Sequence, residues 1–95
     1  MAQGDIRSDL QNIVASGMLT IQPPAGEEWI IHNLYYTGQV QIRLVKGGNY
    51  LMFDSDTSSG ARLGMVFHLT NGQYMQILNT GASAINIAYD GITTK

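Results

Sequence analysis

The sequence predicts an all-β protein, a small antiparallel β-sandwich or jelly-roll-like domain of about seven to eight strands with an N-terminal arm or short helix. After Met18, apolar and polar residues alternate with a period of two, which is typical of half-buried strands. Such segments recur about every ten residues and are joined by turns that contain Gly and Asn. The connections are too short for the crossovers of a parallel sheet, so antiparallel pairing is expected.

Residues 1–17 are predicted to be an N-terminal arm, and residues 18–95 the β-sandwich domain. Four apolar residues of the arm are spaced as on one face of a helix: Ile6, Leu10, Ile13 and Val14. A helix here would have only about three turns, and the segment contains β-branched residues, which favour extended backbone. The sequence therefore leaves both a short helix and an extended arm open.

Strands are predicted between Met18 and Tyr89, at residues 18–22, 27–37, 39–46, 50–53, 61–70, 73–78 and 83–89. The strand at 27–37 is apolar on both faces, which predicts a central position or cover on each side. The strand at 39–46 alternates and is expected to turn Val40 and Ile42 inward. Asp90-Gly91 is predicted to close the last strand, which leaves residues 92–95 as a tail.

Residue types that favour turns separate these strands. Gly47-Gly48-Asn49 predicts a tight turn, and Asp54–Gly60 (DSDTSSG) predicts a polar loop. Asn71-Gly72 is the strongest hairpin signal in the chain and predicts a type I′ turn between two antiparallel strands.

Charged residues make up 13% of the chain, about half the usual fraction. A surface that carries amides and hydroxyls instead suits extended contacts, because little charge has to be desolvated. The same composition is equally typical of a neutral strand surface that uses Thr and Ser for their strand propensity. Because the net charge is −2 and there is no basic run, nucleic-acid binding is not expected.

The chain contains no apolar stretch of the roughly 18 residues that a membrane span needs, and no signal-peptide pattern, so it is expected to stay in the cytoplasm where it is made. It has no cysteine, which excludes disulfides. A domain of this size gains little net stability from its core and often depends on disulfides, a metal or self-association. Self-association is therefore the expected supplement.

Metal binding is not expected. His32 and His68 are the only histidines, and two ligands do not complete a zinc site. Residues 54–60 resemble the start of a calcium loop, but Gly60 is seventh rather than sixth in it, and Met65 stands where the bidentate Glu is needed. A polar loop explains the same residues, so no metal and no cofactor is predicted.

A catalytic constellation is also missing. Glu27 and Glu28 are adjacent, so on a strand they point to opposite faces and cannot act together on one substrate. The serines lie in turns or in the arm without a nucleophile motif, and the glycines form no phosphate-binding loop. The protein is therefore predicted not to be an enzyme.

The aromatic residues are better candidates for binding. Trp29, the single tryptophan, is expected in the core, whereas the tyrosines suit an interface because each hydroxyl needs a partner or water. Together with apolar residues of the arm, the candidate interface residues are Ile6, Leu10, Ile13, Tyr35, Tyr36, Tyr50 and Tyr74.

Much of the chain resembles short virion-associated proteins of tailed bacteriophages, in the stretches MAQGDIRSDLQNI, LTIQPPAGEEWIIHNLYY, FDSDTSSG, FHLTNGQYMQI and NTGASAINIAYDGITTK. The likeness includes no catalytic signature, so no functional residue is carried over from it. It implies a capsid decoration or cement protein that is made in the host cytoplasm and located in the virion. The implied partners are other copies of the chain, in a trimer, and the major capsid protein or another virion protein. The arm would then be ordered on a neighbouring subunit.

Two other functions stay open at this point. A carbohydrate- or receptor-binding β-sandwich module of a phage tail or fibre would expose Trp29 or a cluster of tyrosines beside residues 54–60. A small metal-dependent enzyme would use His32 and His68.

Overall fold

The computed structural model describes residues 4–95, and all regular secondary structure in that range is β-strand. The strands are β1 (Ile6–Ile13), β2 (Met18–Ile21), β3 (Glu28–Tyr36), β4 (Val40–Lys46), β5 (Asn49–Asp56), β6 (Gly60–Arg62), β7 (Phe67–Thr70), β8 (Gln73–Asn79) and β9 (Ile85–Thr93). The predicted all-β class is confirmed. Residues 1–3, where the predicted arm begins, lie outside the described residues. No membrane-spanning helix is found in the described part of the chain.

Two antiparallel sheets pack against each other. One has the order β1-β9-β3, with β6 and β7 both paired to the far side of β3, and the other has the order β2-β8-β4-β5. When β6 and β7 are counted as one interrupted strand, the chain changes sheet at every connection except the β4–β5 hairpin, which is the arrangement of a jelly roll. The predicted antiparallel sandwich is therefore the observed fold.

The core lies between the sheets and consists largely of alternate strand residues. Its buried members are Ile13, Leu19, Ile21, Trp29, Ile31, Leu34, Tyr36, Val40, Ile42, Leu69, Met75, Ile77, Ile85 and Ile87. Full burial of one large apolar side chain contributes roughly 1.5–3 kcal/mol, so this cluster is the main stabilising element. Val40 and Ile42 point inward, as their alternation predicts.

Residues 6–13 of the predicted arm form the edge strand β1. This strand pairs with β9 over its whole length, from Ile6 opposite Ile92 to Ile13 opposite Ile85. The helical alternative does not form, because a short isolated helix is marginal in water whereas β9 offers a full ladder of backbone partners. The ladder also places Ile13 in the core.

The tight turn predicted at Gly47-Gly48-Asn49 is a two-residue hairpin turn at Gly47-Gly48, and Asn49 is the first residue of β5. Lys46 lies opposite Asn49 and closes it. Gly47 has a φ of 60°, the positive value that a type II′ turn requires at its first central position.

Asn71-Gly72 does not form the predicted type I′ hairpin. β7 belongs to the five-stranded sheet and β8 to the four-stranded sheet, so these two residues connect the sheets. Neither has the positive φ that a type I′ turn requires. The Asn71 amide donates to the Pro23 carbonyl (3.1 Å), and the Gln73 N–H donates to Thr70 Oγ1 (3.1 Å), which fixes a turn between layers.

Two strand boundaries in the middle of the chain differ from the prediction. The strand predicted at 61–70 is interrupted between β6 and β7. β5 continues through Asp54 to Asp56, so only residues 57–59 separate β5 from β6 where a loop over 54–60 was expected. The two aspartates are kept in the strand by ladder pairing with β4.

β9 extends past Gly91, so the first two residues of the tail predicted at 92–95 belong to the sheet. Gly91 lies opposite Ile31, next to a bulge where β3 carries one extra residue, His32. A Cβ atom at Gly91 would overlap the Ile30 carbonyl oxygen. The glycine therefore permits a close approach of two strands and does not turn the chain.

Candidate functional site

Trp29 is 8% exposed and is held by charged neighbours at the start of β3. Its indole N–H donates to Glu27 (3.1 Å), and the Arg7 guanidinium carbon lies 5.2 Å from the ring centre. Arg7 also pairs with Glu27 at 3.3 Å, whereas Glu28 pairs separately with Lys95 at 3.8 Å. Trp29 is a core residue, as predicted, and offers no exposed stacking platform.

The two aspartates of the predicted calcium-like segment are engaged by an arginine and a tyrosine. Arg62 contacts Asp54 through Nε (2.6 Å) and Nη2 (3.2 Å) and donates from Nη1 to the Tyr36 hydroxyl (2.7 Å). The Tyr36 hydroxyl donates in turn to Asp56 (2.8 Å). The network joins the two sheets, because Tyr36 and Arg62 belong to one and the aspartates to the other. Residues 4–95 contain no group of three or more His, Cys, Asp or Glu side chains arranged to hold a metal.

The network shifts the pKa values of its members. Hydrogen bonding to Arg62 holds the pKa of Asp54 below its usual value, and hydrogen bonding to Tyr36 does the same for Asp56. Burial, and then the hydrogen bond to Asp56, raises the pKa of Tyr36 to about 12. At neutral pH Asp54 and Asp56 are therefore charged and Tyr36 is protonated, so the hydrogen bonds of the network are formed.

We expect the melting temperature of the domain to fall at both ends of the pH range. A carboxyl with a lowered folded-state pKa stabilises the fold above its unfolded pKa of about 4, and this contribution is lost as the pH falls. A phenol with a raised folded-state pKa stabilises the fold below its unfolded pKa, and this contribution is lost between pH 10 and about 12. Tyr36→Phe should reduce the alkaline loss, and the exposed control Tyr50→Phe should not. An alkaline profile unchanged by Tyr36→Phe would contradict this role of the hydroxyl.

The two histidines occupy separate structural positions. His32 lies at the bulge of β3, and its Nδ1 is 3.0 Å from the Met65 carbonyl oxygen. His68 is exposed on β7, opposite Ile30. Neither histidine is part of a group of possible metal ligands within the described chain.

The candidate interface residues are divided among three places. Two lie in the core, three on the outer face of the five-stranded sheet and two on the outer face of the four-stranded sheet. They are, in that order, Ile13 and Tyr36; Ile6, Leu10 and Tyr35; and Tyr50 and Tyr74. Tyr35 and Tyr36 differ because successive strand residues face opposite sides of a sheet.

A polar cluster marks the outer face of the five-stranded sheet. Asp90 accepts hydrogen bonds from the Asn33 amide (2.6 Å) and the Tyr35 hydroxyl (2.9 Å). Leu10 and Tyr35 both lie opposite Ala88, one on each side of β9. This face therefore combines apolar positions with hydrogen-bonding groups.

The most continuous exposed apolar segment is on β5, at the edge of the four-stranded sheet. Tyr50, Leu51, Met52 and Phe53 are 65%, 63%, 47% and 39% exposed, and we call these four residues the β5 edge. Within residues 4–95 no strand lies beside β5 on the side away from β4. The Phe53 ring packs on Phe67 of the other sheet, with ring centres 5.2 Å apart. The β5 edge is therefore an ordered part of the sandwich that exposes apolar side chains and unpaired backbone.

Of these four residues, the sequence predicts only Tyr50 as an interface residue. The available signal is the unbroken apolar run YLMF, which lacks the alternation of a half-buried strand. A strand that is apolar on both faces is usually central. Only the topology shows that this one is at an edge.

The other sheet edges carry features that protect them from pairing. β1 contains Arg7 and Asp9, β2 has four residues and is followed by Pro23-Pro24, and β6 and β7 have three and four residues. Charge, proline and short length are the devices by which natural sheets avoid edge-to-edge association. The β5 edge contains no charged residue and no proline and lies in a strand of eight residues; a bulge at Phe53 and the charges of Asp54 and Asp56 follow only beyond Met52.

No known protein family matches the chain, and no curated protein matches it either. The geometry of the surface is therefore the guide to function.

Proposed function

We propose that the protein is a structural component of a bacteriophage virion, specifically a capsid decoration or cement protein that binds the assembled head as a homo-oligomer. The observation that carries the proposal is the β5 edge, an exposed apolar strand edge in a protein with few charges. Such an edge is a template for pairing with another chain. The resemblance to virion proteins of tailed phages is the reason for proposing that this assembly takes place on a phage particle.

Assembly, not catalysis, is the chemistry that this surface supports. The β5 edge offers aromatic, aliphatic and thioether side chains, which are the types enriched at interfaces. The carboxylates that follow this segment in β5, Asp54 and Asp56, are already engaged by Arg62 and Tyr36. Jelly rolls are frequent in viral capsid proteins, although fold alone does not define function. A subunit that binds only the assembled shell stabilises that shell by mass action.

Mass spectrometry of purified phage particles tests the proposal. We expect the protein to be present at a copy number comparable with that of the major capsid protein. A copy number far below that value would contradict a decoration role and indicate the tail or portal. Absence from the particle would refute the virion assignment.

A carbohydrate- or receptor-binding module is the second candidate, and the polar cluster of Asp90, Asn33 and Tyr35 favours it. A carboxylate, an amide and an aromatic hydroxyl on an exposed sheet face can hydrogen-bond a polar ligand. Trp29 does not contribute, because it is buried. Glycan titration distinguishes the two candidates: saturable binding that is lost in Asp90→Ala would support this one, and no binding would count against it.

A further inference from the structure

The β4–β5 hairpin determines which backbone groups of the β5 edge are free. Lys46 and Asn49 close its two-residue turn, and in such a turn the closing residues form a hydrogen-bonded pair. Bonded and non-bonded pairs alternate along an antiparallel ladder, so Leu51 is bonded to β4. Tyr50 and Met52 therefore direct their N–H and C=O groups away from β4, toward the open side of the sheet.

We propose that the β5 edge pairs with the β5 edge of a second copy of this chain, antiparallel about a two-fold axis at Leu51. Leu51 then faces Leu51 of the second copy, and Tyr50 faces Met52. Tyr50 and Met52 exchange N–H···O bonds on both sides of the axis, and the two four-stranded sheets become one continuous sheet. The inference rests on the proposed function, because it names the interface of the proposed homo-oligomer. Its smallest assembly is a dimer, in place of the trimer expected from the resemblance.

In this register, residues that lie opposite each other in the two copies have their side chains on the same face of the joined sheet. Tyr50 and Met52 lie opposite Val45 and Arg43 on the outer face, and in the dimer they meet each other there. Leu51 lies on the inner face and meets its own counterpart. A shift of one residue would place an inner residue opposite an outer one, so the pattern of the strand opposes it.

A second copy fits this edge because β5 is complementary to itself. The paired segment, residues 50–52, contains no charged residue and ends before the bulge at Phe53. Asp54 and Asp56 fall beyond it, so no carboxylate lies opposite another, which would destabilise the pair. The second copy would also cover a shallow apolar depression of about 200 Å³ beside the edge, lined by Leu44, Lys46, Asn49, Tyr50, Leu51 and Gln73.

A cysteine at position 51 tests the pairing in a chain that has no cysteine of its own. Directly opposed residues of a non-hydrogen-bonded antiparallel pair have Cα atoms about 4.5 Å apart, which is within the range of a disulfide. We expect Leu51→Cys to give a covalent dimer under mild oxidation. Met52→Cys should not, because the two copies of Met52 would lie about 9 Å apart. Leu63→Cys is the control for random collision, since Leu63 is 67% exposed and Leu51 is 63% exposed.

Charge substitution tests the two-fold axis without a covalent bond. Leu51→Lys and Leu51→Glu each place like charges face to face, and each should raise the dimer dissociation constant at least about tenfold. An equimolar mixture should form the dimer again, because a lysine then faces a glutamate. Leu63→Lys, the same change at an equally exposed site, should leave association unchanged. Sedimentation measures the mass, and circular dichroism confirms that each variant is folded.

The possible outcomes separate this inference from the proposed function. Wild-type oligomers that persist in Leu51→Lys, without a disulfide in Leu51→Cys, would overturn the β5 pairing and leave the homo-oligomer standing. A wild-type chain that stays monomeric at every concentration measured would overturn both. Presence in the phage particle is decided independently by mass spectrometry.

Discussion

Asn79→Asp is expected to destabilise the domain by about 3–5 kcal/mol. Asn79 is completely buried at the end of β8, where its amide donates to the carbonyls of Ile13 (3.0 Å) and Ser83 (2.9 Å). Its Oδ1 accepts from the Gly81 N–H (3.0 Å). Aspartate keeps the acceptor but replaces both donors with an oxygen, so a buried charge would face two carbonyl oxygens. Urea unfolding measures the loss.

Asn86→Asp is the matched control for this prediction. Asn86 is exposed on β9, and its Oδ1 accepts from the Asn12 amide (3.2 Å), an interaction that a carboxylate can still make. The free energy of unfolding of the Asn86→Asp variant should differ from that of the unmodified protein by no more than about 0.5 kcal/mol. Similar losses at the two positions would show that the buried contacts of Asn79 are not what stabilises the fold.

We expect Gly91→Ala to cost about 3 kcal/mol or more. Gly91 lies within the β3–β9 ladder, and an added Cβ would overlap the Ile30 carbonyl oxygen and lie 2.8 Å from the Ile31 Cα. Both are backbone atoms, so the clash is relieved only if the strands separate at the bulge. Thermal unfolding of the variant checks the expected loss.

Gly72→Ala controls for the general effect of replacing a glycine. Gly72 is exposed, has no positive φ, and a Cβ there would meet no atom within 4 Å. The substitution should be neutral or stabilise the fold by up to about 1 kcal/mol. A Gly91→Ala variant as stable as Gly72→Ala would mean that β3 and β9 do not approach as closely as described.

The antiparallel sandwich could be predicted because burial in a sheet imposes a period of two. The alternation at Val40, Ile42 and neighbouring residues records which side of β4 faces the core. A strand that is apolar on both faces, such as β3, correctly indicates a strand with partners on each side. These patterns depend only on residues that are close in the sequence, so they can be recognised without knowing which strands pair.

The errors arise where the partner is distant in the sequence. β1 forms because β9, at the other end of the chain, lies beside it. Asn71-Gly72 has the residues of a hairpin turn, but its flanking strands join different sheets, so the local preference is overridden. Gly91 has the appearance of a turn residue, yet it is required by the approach of β3.

The candidate site was predicted only in part for a related reason. Tyr36 and Ile13 are residue types that suit an interface, but their positions in the alternation of their strands direct both side chains into the core. Leu51, Met52 and Phe53 could not be recognised as an edge without the strand order, because an apolar run is equally compatible with a central strand.

The pairing of β1 with β9 brings both ends of the described chain together. The Gly4 N–H donates to the Thr93 carbonyl (2.5 Å), and the backbone N–H of Lys95 donates to Glu28 (3.2 Å). Gly4 and Lys95 lie just outside β1 and β9 and are bonded to the β1–β9–β3 part of one sheet, whereas the β5 edge is the far edge of the other sheet. A label attached at Gly4 or Lys95 would therefore be displayed away from the β5 edge. Because Gly4 and Lys95 both lie beside this part of the sheet, a short linker could join these two residues without crossing the sandwich.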